Sequence, residues 1–293
     1  MNAAISTNQL HFSFWQYTLR RVLRNPLGAA GVAIVLLVTL VALFAPWIAP
    51  YDPFTQNLTE ALRGPSPAHL LGQDDLGRDI LSRIIFGARV SMKVGFITVS
   101  VSALIGMLVG AVAGYLGGWV DEILMRITDI MLAFPGILLA IGIMAILGPS
   151  FNNVLIALCL VGWKGYARLV RGEILKEKEK EYVQAARVLG YSNARIIFFH
   201  LLPNTINPVL VMATLGIASM VIAEAGLSFL GLGTQPPLPS WGGMLSEGRQ
   251  YILQAPHLTT FPGIAIMILV LGFTFLGDAL RDALDPHIKF YSE

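Results

Sequence analysis

The sequence predicts an all-α membrane protein with six transmembrane helices, and three observations lead there. Of its 293 residues, 55% are hydrophobic and only 13% are charged, against about 25% charged in an ordinary soluble domain. The mean hydropathy is +0.67. The charged residues leave long uncharged runs between them, at 25–51, 94–120, 130–163, 196–223 and 250–277. Each exceeds the roughly 20 residues with which a helix crosses about 30 Å of hydrocarbon.

The first run, 25–51, is far longer than the apolar core of a signal peptide, so it is expected to stay in the membrane. Arg20, Arg21 and Arg24 precede it, which places the N-terminus in the cytoplasm by the positive-inside rule. The second span is 94–120. As one helix the third run would reach about 50 Å at 1.5 Å per residue, so it has to turn back. Gly148, Pro149, Ser150, Asn152 and Asn153 supply the turn, giving a hairpin of 130–147 and 152–169. Lys164 and Arg168, near the end of the latter, are expected to snorkel to the interface. The runs 196–223 and 250–277 complete six spans and return the C-terminus to the cytoplasm.

In that orientation fourteen of the twenty lysines and arginines lie inside. The exception is local, because Arg63, Arg78, Arg83, Arg89 and Lys93 all fall in the outer segment 52–93. There Leu81, Ile84, Ile85, Ala88 and Met92 recur at helical spacing opposite Arg83, Arg89 and Lys93. This predicts an amphipathic helix over 80–93, lying along the interface.

The chain thus divides into four parts. Residues 1–67 hold the cytoplasmic N-terminus, the first span and the start of an outer loop. Residues 68–93 hold the rest of that loop and the interfacial helix. A five-helix core spans 94–280 and contains a charged cytoplasmic loop at 171–203. Residues 281–293 form a cytoplasmic tail. A second extramembrane stretch, 231–250, is rich in glycine and proline and falls outside, where it reads as an ordered cap or a gate.

Several chemistries are missing. Cys159 is the single cysteine and the five histidines are scattered, so no metal site is expected. A phosphate-binding loop, a nucleophile elbow and a His-Glu-x-x-His helix are all absent, so the chain is not expected to be an enzyme or to bind a cofactor. A net charge of +2 gives no reason to expect nucleic acid. Ionisable residues in the spans are expensive and mark function, and Glu224 is nearly alone there. It reads either as lining a polar path or as a carboxyl bonded to a neighbouring helix.

Five stretches carry a family resemblance. Residues 182–204, YVQAARVLGYSNARIIFFHLLPN, resemble the cytoplasmic docking motif of the permeases of binding-protein-dependent ABC importers. The branch is the one that handles dipeptides, oligopeptides and nickel. That motif reads Glu-Ala-Ala, three residues, Gly, nine residues, Ile-x-Leu-Pro. Ala185, Ala186, Gly190, Leu202 and Pro203 match it, while Gln184 and His200 depart from it. The physical reading stands beside the likeness: a short helix over 181–189 stops at Gly190 in a left-handed cap, and a second starts after Ser192. The other similar stretches, in family order, are 70–91, 117–140, 226–245 and 276–286.

The resemblance implies a type I ABC importer permease in a bacterial or archaeal cell membrane. It implies a second, homologous permease, two ATPase subunits that carry ATP and magnesium, and an external solute-binding protein. Tyr182, Gln184, Ala185, Ala186, Gly190, His200, Leu202 and Pro203 would form the ATPase-docking loop. Pro237, Pro239 and Trp241 would form the extracellular gate or the contact for the binding protein. Di- and oligopeptides are the implied solutes, with nickel complexes or glutathione as alternatives. A channel or carrier working without ATP, and a scaffold without transport, are the readings from other classes.

Overall fold

The computed structural model describes residues 14–284. The tail at 285–293, with His287 and Lys289, and the N-terminal residues through Ser13, with His11, lie outside the described residues.

Helix α1 (Phe14–Arg24) meets α2 (Pro26–Ile48) at Asn25. The Asn25 side chain accepts from the N–H groups of Leu27 at 3.0 Å and Gly28 at 3.4 Å, while Pro26 fills the first helical position, where no donor is needed. A loop leads to α3 (Ile80–Leu116), capped by Asp79, which accepts from the Ser82 N–H at 2.8 Å. Then come α4 (Gly118–Ala133), α5 (Gly136–Leu147), α6 (Phe151–Glu177), α7 (Glu181–Val188) and α8 (Asn193–Ile196). One wide turn over 197–201 leads into α9 (Leu202–Phe229), followed by α10 (Trp241–Gly248) and α11 (His257–Leu284).

Five helices, α2, α3, α6, α9 (with its preceding turns) and α11, are long and apolar enough to cross a membrane. The pair α4 and α5, bent by 93° at its break, brings the number to six when counted as one broken span. The helices overrun the uncharged runs because backbone hydrogen bonding continues where the hydrocarbon stops.

Helix α3 is central and packs most closely on α6. Glycines at 106, 110 and 114 bring the two backbones together: a Cβ would lie 2.4 Å from Tyr166 Cβ at the first and 2.4 Å from the Ala167 carbonyl at the second. In lipid such small-residue seams replace the hydrophobic drive as the source of helix association. Helix α11 joins α2 to α9 on the other side of the bundle.

Several local expectations differ from what is observed. The segment 80–93 is not a separate interfacial helix; it is the start of α3 and continues without a break to Leu116. Arg83, expected on its polar face, is buried. Its Nη2 donates to Glu247 at 3.0 Å, and Arg78 bridges Asp74 at 2.6 Å and Glu247 at 2.9 Å. Burial, then the charge of Asp74, push the Asp75 carboxyl above the ordinary aspartate range. Both arginines are thereby paired with the nearby Asp74 and with Glu247, which is distant in sequence.

The hairpin turn falls where expected: Gly148 has φ +82° and the Ser150 side chain accepts from the Asn153 N–H at 3.1 Å. The arm before it is not one helix over 130–147. It breaks at Phe134 and Pro135, because proline lacks the donor and clashes with the preceding turn. Lys164 does not snorkel. It is buried, and its Nζ donates to the Met131 carbonyl at 2.7 Å.

Candidate functional site

Two regions gather the candidate residues, one at each end of the bundle. The first is a knob between α6 and α9. Helix α7 ends in a left-handed turn at Gly190, with φ +77°. Tyr191 N–H returns to the Ala186 carbonyl at 3.1 Å and Gly190 N–H to the Arg187 carbonyl at 3.0 Å, the bond pair of a glycine-closed helix end. Ser192 then caps α8, accepting from Arg195 N–H at 3.4 Å. No atom lies within 4 Å of where a Gly190 Cβ would stand, so this glycine is required by its backbone angle and not by crowding.

Polar contacts fasten the knob. Tyr182 donates to Glu177 at 2.7 Å, and the Asn204 amide donates to Tyr182 at 3.0 Å and to the His200 carbonyl at 2.7 Å. Burial first, then the Glu177 carboxylate, push the Tyr182 phenol up to about 12, so it remains a donor at physiological pH. Lys178 donates to the Gly114 carbonyl at 3.1 Å, and Tyr115 to Asn193 at 3.2 Å. The knob is thus tied to the end of α3 as well as to α6 and α9.

The expected residues divide by face. Ala186 and Leu202 are buried within the chain, with Val183, Ile196 and Leu201. Tyr182, Gln184, Ala185, Gly190 and Pro203 are exposed, and His200 is half-buried. Ala186 is therefore part of the knob's own core, not of its outer surface, because it lies three positions from Val183 on the inward face. The outer surface includes residues that the motif did not single out: Val188 is 88% exposed, Leu189 70% and Phe199 75%. Phe198 is exposed too, and a groove lined by Tyr191, Arg195, Phe198 and Phe199 opens nearby. The available signal was an apolar pair beside a glycine within a strongly charged loop.

The second region is a cap formed by the end of α9, the loop 230–240 and α10. Trp241 is only 2% exposed. Its Nε1 donates to the Ile84 carbonyl at 3.0 Å, and its ring fills the place where a Gly87 Cβ would come within 2.6 Å of Cδ1. Pro239 is also buried, whereas Pro237 and Leu238 are exposed. Trp241, expected in the extracellular gate or in contact with the binding protein, presents almost no free surface for such a contact, because the indole joins α10 to α3. Glu224 is fully buried. Its Oε1 accepts from Ser228 at 2.6 Å and from Thr234 at 3.5 Å, while Oε2 has no hydrogen-bond partner among the described residues. Its bonds run within α9 and to the cap loop, not to a neighbouring span.

Carboxylate oxygens of Asp74, Asp75 and Glu247 lie within 4.8 Å of one another. Arg78 and Arg83 bridge these acids, so the cluster is an ion-pair network whose positive charge is already supplied.

Membrane-length helices, with a cap at one end and a helical knob with an apolar tip at the other, define a multi-pass membrane protein. The chain belongs to the family described as the binding-protein-dependent transport system inner membrane component, whose model matches residues 106–290. Residues 13–65 match the N-terminal transmembrane domain of oligopeptide transport permease C. The dipeptide transport system permease protein DppC of Alkalihalophilus pseudofirmus is 47% identical, over 94% of this chain and 90% of that protein. The glutathione transport system permease protein GsiD of Escherichia coli O157:H7 is 46% identical, over 94% of this chain and 91% of that one. Among solved structures, an inward-facing MetNI methionine ABC transporter chain is similar with a TM-score of 0.57 at 19% identity, over 70% of this chain and 98% of that chain. This last likeness concerns the fold alone. The protein is a multi-pass inner-membrane permease of an ABC importer.

Proposed function

We propose that this chain forms part of the translocation pathway for di- and oligopeptides, handed over by an external solute-binding protein. It works beside a second, homologous permease. ATP and magnesium are held by two separate ATPase subunits that dock on the knob. The observation that carries this reading is the exposed Val188–Leu189 tip, with Phe199 exposed on the turn after α8, since exposed apolar side chains on an otherwise charged loop suit a protein partner. Relatives named for dipeptide and for glutathione transport support a short peptide as cargo. Glutathione and nickel complexes are the alternatives.

Liposomes containing this permease, its partner permease and both ATPases are expected to accumulate labelled dipeptide only with ATP and the binding protein. Uptake without ATP would establish a channel or carrier instead. ATP-driven accumulation of glutathione with none of the dipeptide would move the assignment to the alternative.

Both termini and the knob are proposed to face the cytoplasm, with the cap outside. In a Cys159→Ser background, single cysteines at Thr55 and Gln235 are expected to react with an impermeant thiol reagent on intact cells. A cysteine at Glu179 should react only after lysis. All three positions are exposed, whereas neighbouring Lys178 is engaged with Gly114. Labelling of Glu179→Cys from outside would reverse the topology.

A further inference from the structure

Lys164 is a buried cation inside a membrane-length helix, and the function proposed above makes no use of it. A lysine in such a place is tolerated only where its donors are occupied. Its Nζ donates to the carbonyl of Met131 at 2.7 Å and reaches that of Phe134 at 3.5 Å.

Those carbonyls follow from the sequence of the break. In an unbroken helix the N–H of residue 135 would bond the carbonyl of residue 131. Residue 135 is proline and has no N–H, so the Met131 carbonyl loses its partner where α4 and α5 diverge by 93°. An ammonium from another helix, 33 positions along the chain, takes that place.

Two more cations on the same helix face reach toward α4. Arg168 pairs with Asp129, and Arg171 meets Asp121 through two hydrogen bonds, at 2.7 and 2.5 Å. Positions 164, 168 and 171 are spaced four and three apart, as neighbours on one side of a helix must be. The ladder clamps α4 along its length, and Lys164 is the rung at the bend. Helix α6, which carries all three, ends at Glu177, and the knob begins four residues later at Glu181.

We propose that Lys164 is a positioning residue for transport: by taking the carbonyls stranded at Pro135, it holds the broken span α4–α5 at its bend and carries movement of the knob to that bend through α6. The inference rests on the transport reading, but half of its test does not require transport.

The test uses the complete importer in lipid nanodiscs for distances and in liposomes for uptake, with Cys159→Ser. Spin labels at Ile127 and Ile146, both exposed, report the distance across the bend. Lys164→Arg keeps donors at this position and is expected to retain the native distance. Lys164→Met should broaden or shift it, and should lower the amount of solute moved per ATP hydrolysed about ten-fold while binding-protein-stimulated hydrolysis continues. In a Pro135→Ala background, where residue 135 regains its N–H, Lys164→Met should produce little further change in the distance. An unchanged distance in Lys164→Met overturns the proposal, whatever uptake does. So does a proportional fall of uptake and hydrolysis, which is the signature of a lysine that merely stabilises the fold. If the wild-type importer moves no solute, the transport reading fails while the distance measurement still decides whether Lys164 holds the bend.

Discussion

Replacing Val188 and Leu189 together by aspartate is expected to abolish copurification of the ATPase subunits and to reduce uptake to background, while the permease still inserts in the membrane. Both side chains are more than two-thirds exposed, so the change removes little from the chain's own core. It places two charges where the proposed partner would have to desolvate them, and burying an unpaired charge costs several kcal/mol. Gly190 offers a graded control. Its φ of +77° is one that a residue with a Cβ adopts at a cost of about 1–2 kcal/mol. No atom lies within 4 Å of the Cβ position, so Gly190→Ala should dock weakly but measurably. Gly190→Arg adds bulk to the same strain and should fail to dock. Wild-type ATPase yield and uptake with Val188→Asp/Leu189→Asp would show that the knob is not the docking element.

The second large effect is expected at the cap. Trp241→Ala empties the site against Gly87, and deleting a buried aromatic side chain costs about 3–5 kcal/mol. The lost hydrogen bond to Ile84 contributes less, about 1 kcal/mol, because a carbonyl within a helix already has a backbone donor. Trp241→Phe should therefore recover much of the thermal stability in detergent, and Trp241→Ala little. Leu238, 50% exposed beside Pro237, should behave in the opposite way. Leu238→Asp is expected to leave the melting temperature unchanged and to reduce the stimulation of ATP hydrolysis by the solute-binding protein. Equal stability of the Trp241→Ala and wild-type proteins would contradict the packing role. Undiminished stimulation with Leu238→Asp would move the partner's contact elsewhere.

What the amino-acid sequence determined by itself was whatever depends on neighbours along the chain. Lipid demands that backbone groups be satisfied within a segment, so uncharged runs announced the spans, and the turn at 148–150 appeared where its residues stood. The helix end at Gly190 and the start at Ser192 were legible for the same reason, since capping uses side chains and backbone only a few residues apart. The family resemblance likewise rested on ordered local motifs. What only the tertiary structure decided were contacts between distant positions. Arg83 meets Glu247 across 164 positions and Trp241 meets Ile84 across 157, and no local pattern shows that this arginine will be buried or that an indole will be taken up inside the chain. Ala186 turned inward because the knob folds back on α8 and the turn that follows it, burying Val183 with Ile196 and Leu201. Pro135 marks the break locally, but only the tertiary structure shows that the stranded carbonyl is answered by Lys164 on a different helix. Helix and cap arise from short-range hydrogen bonds, whereas the faces that meet are set by packing among helices far apart in sequence.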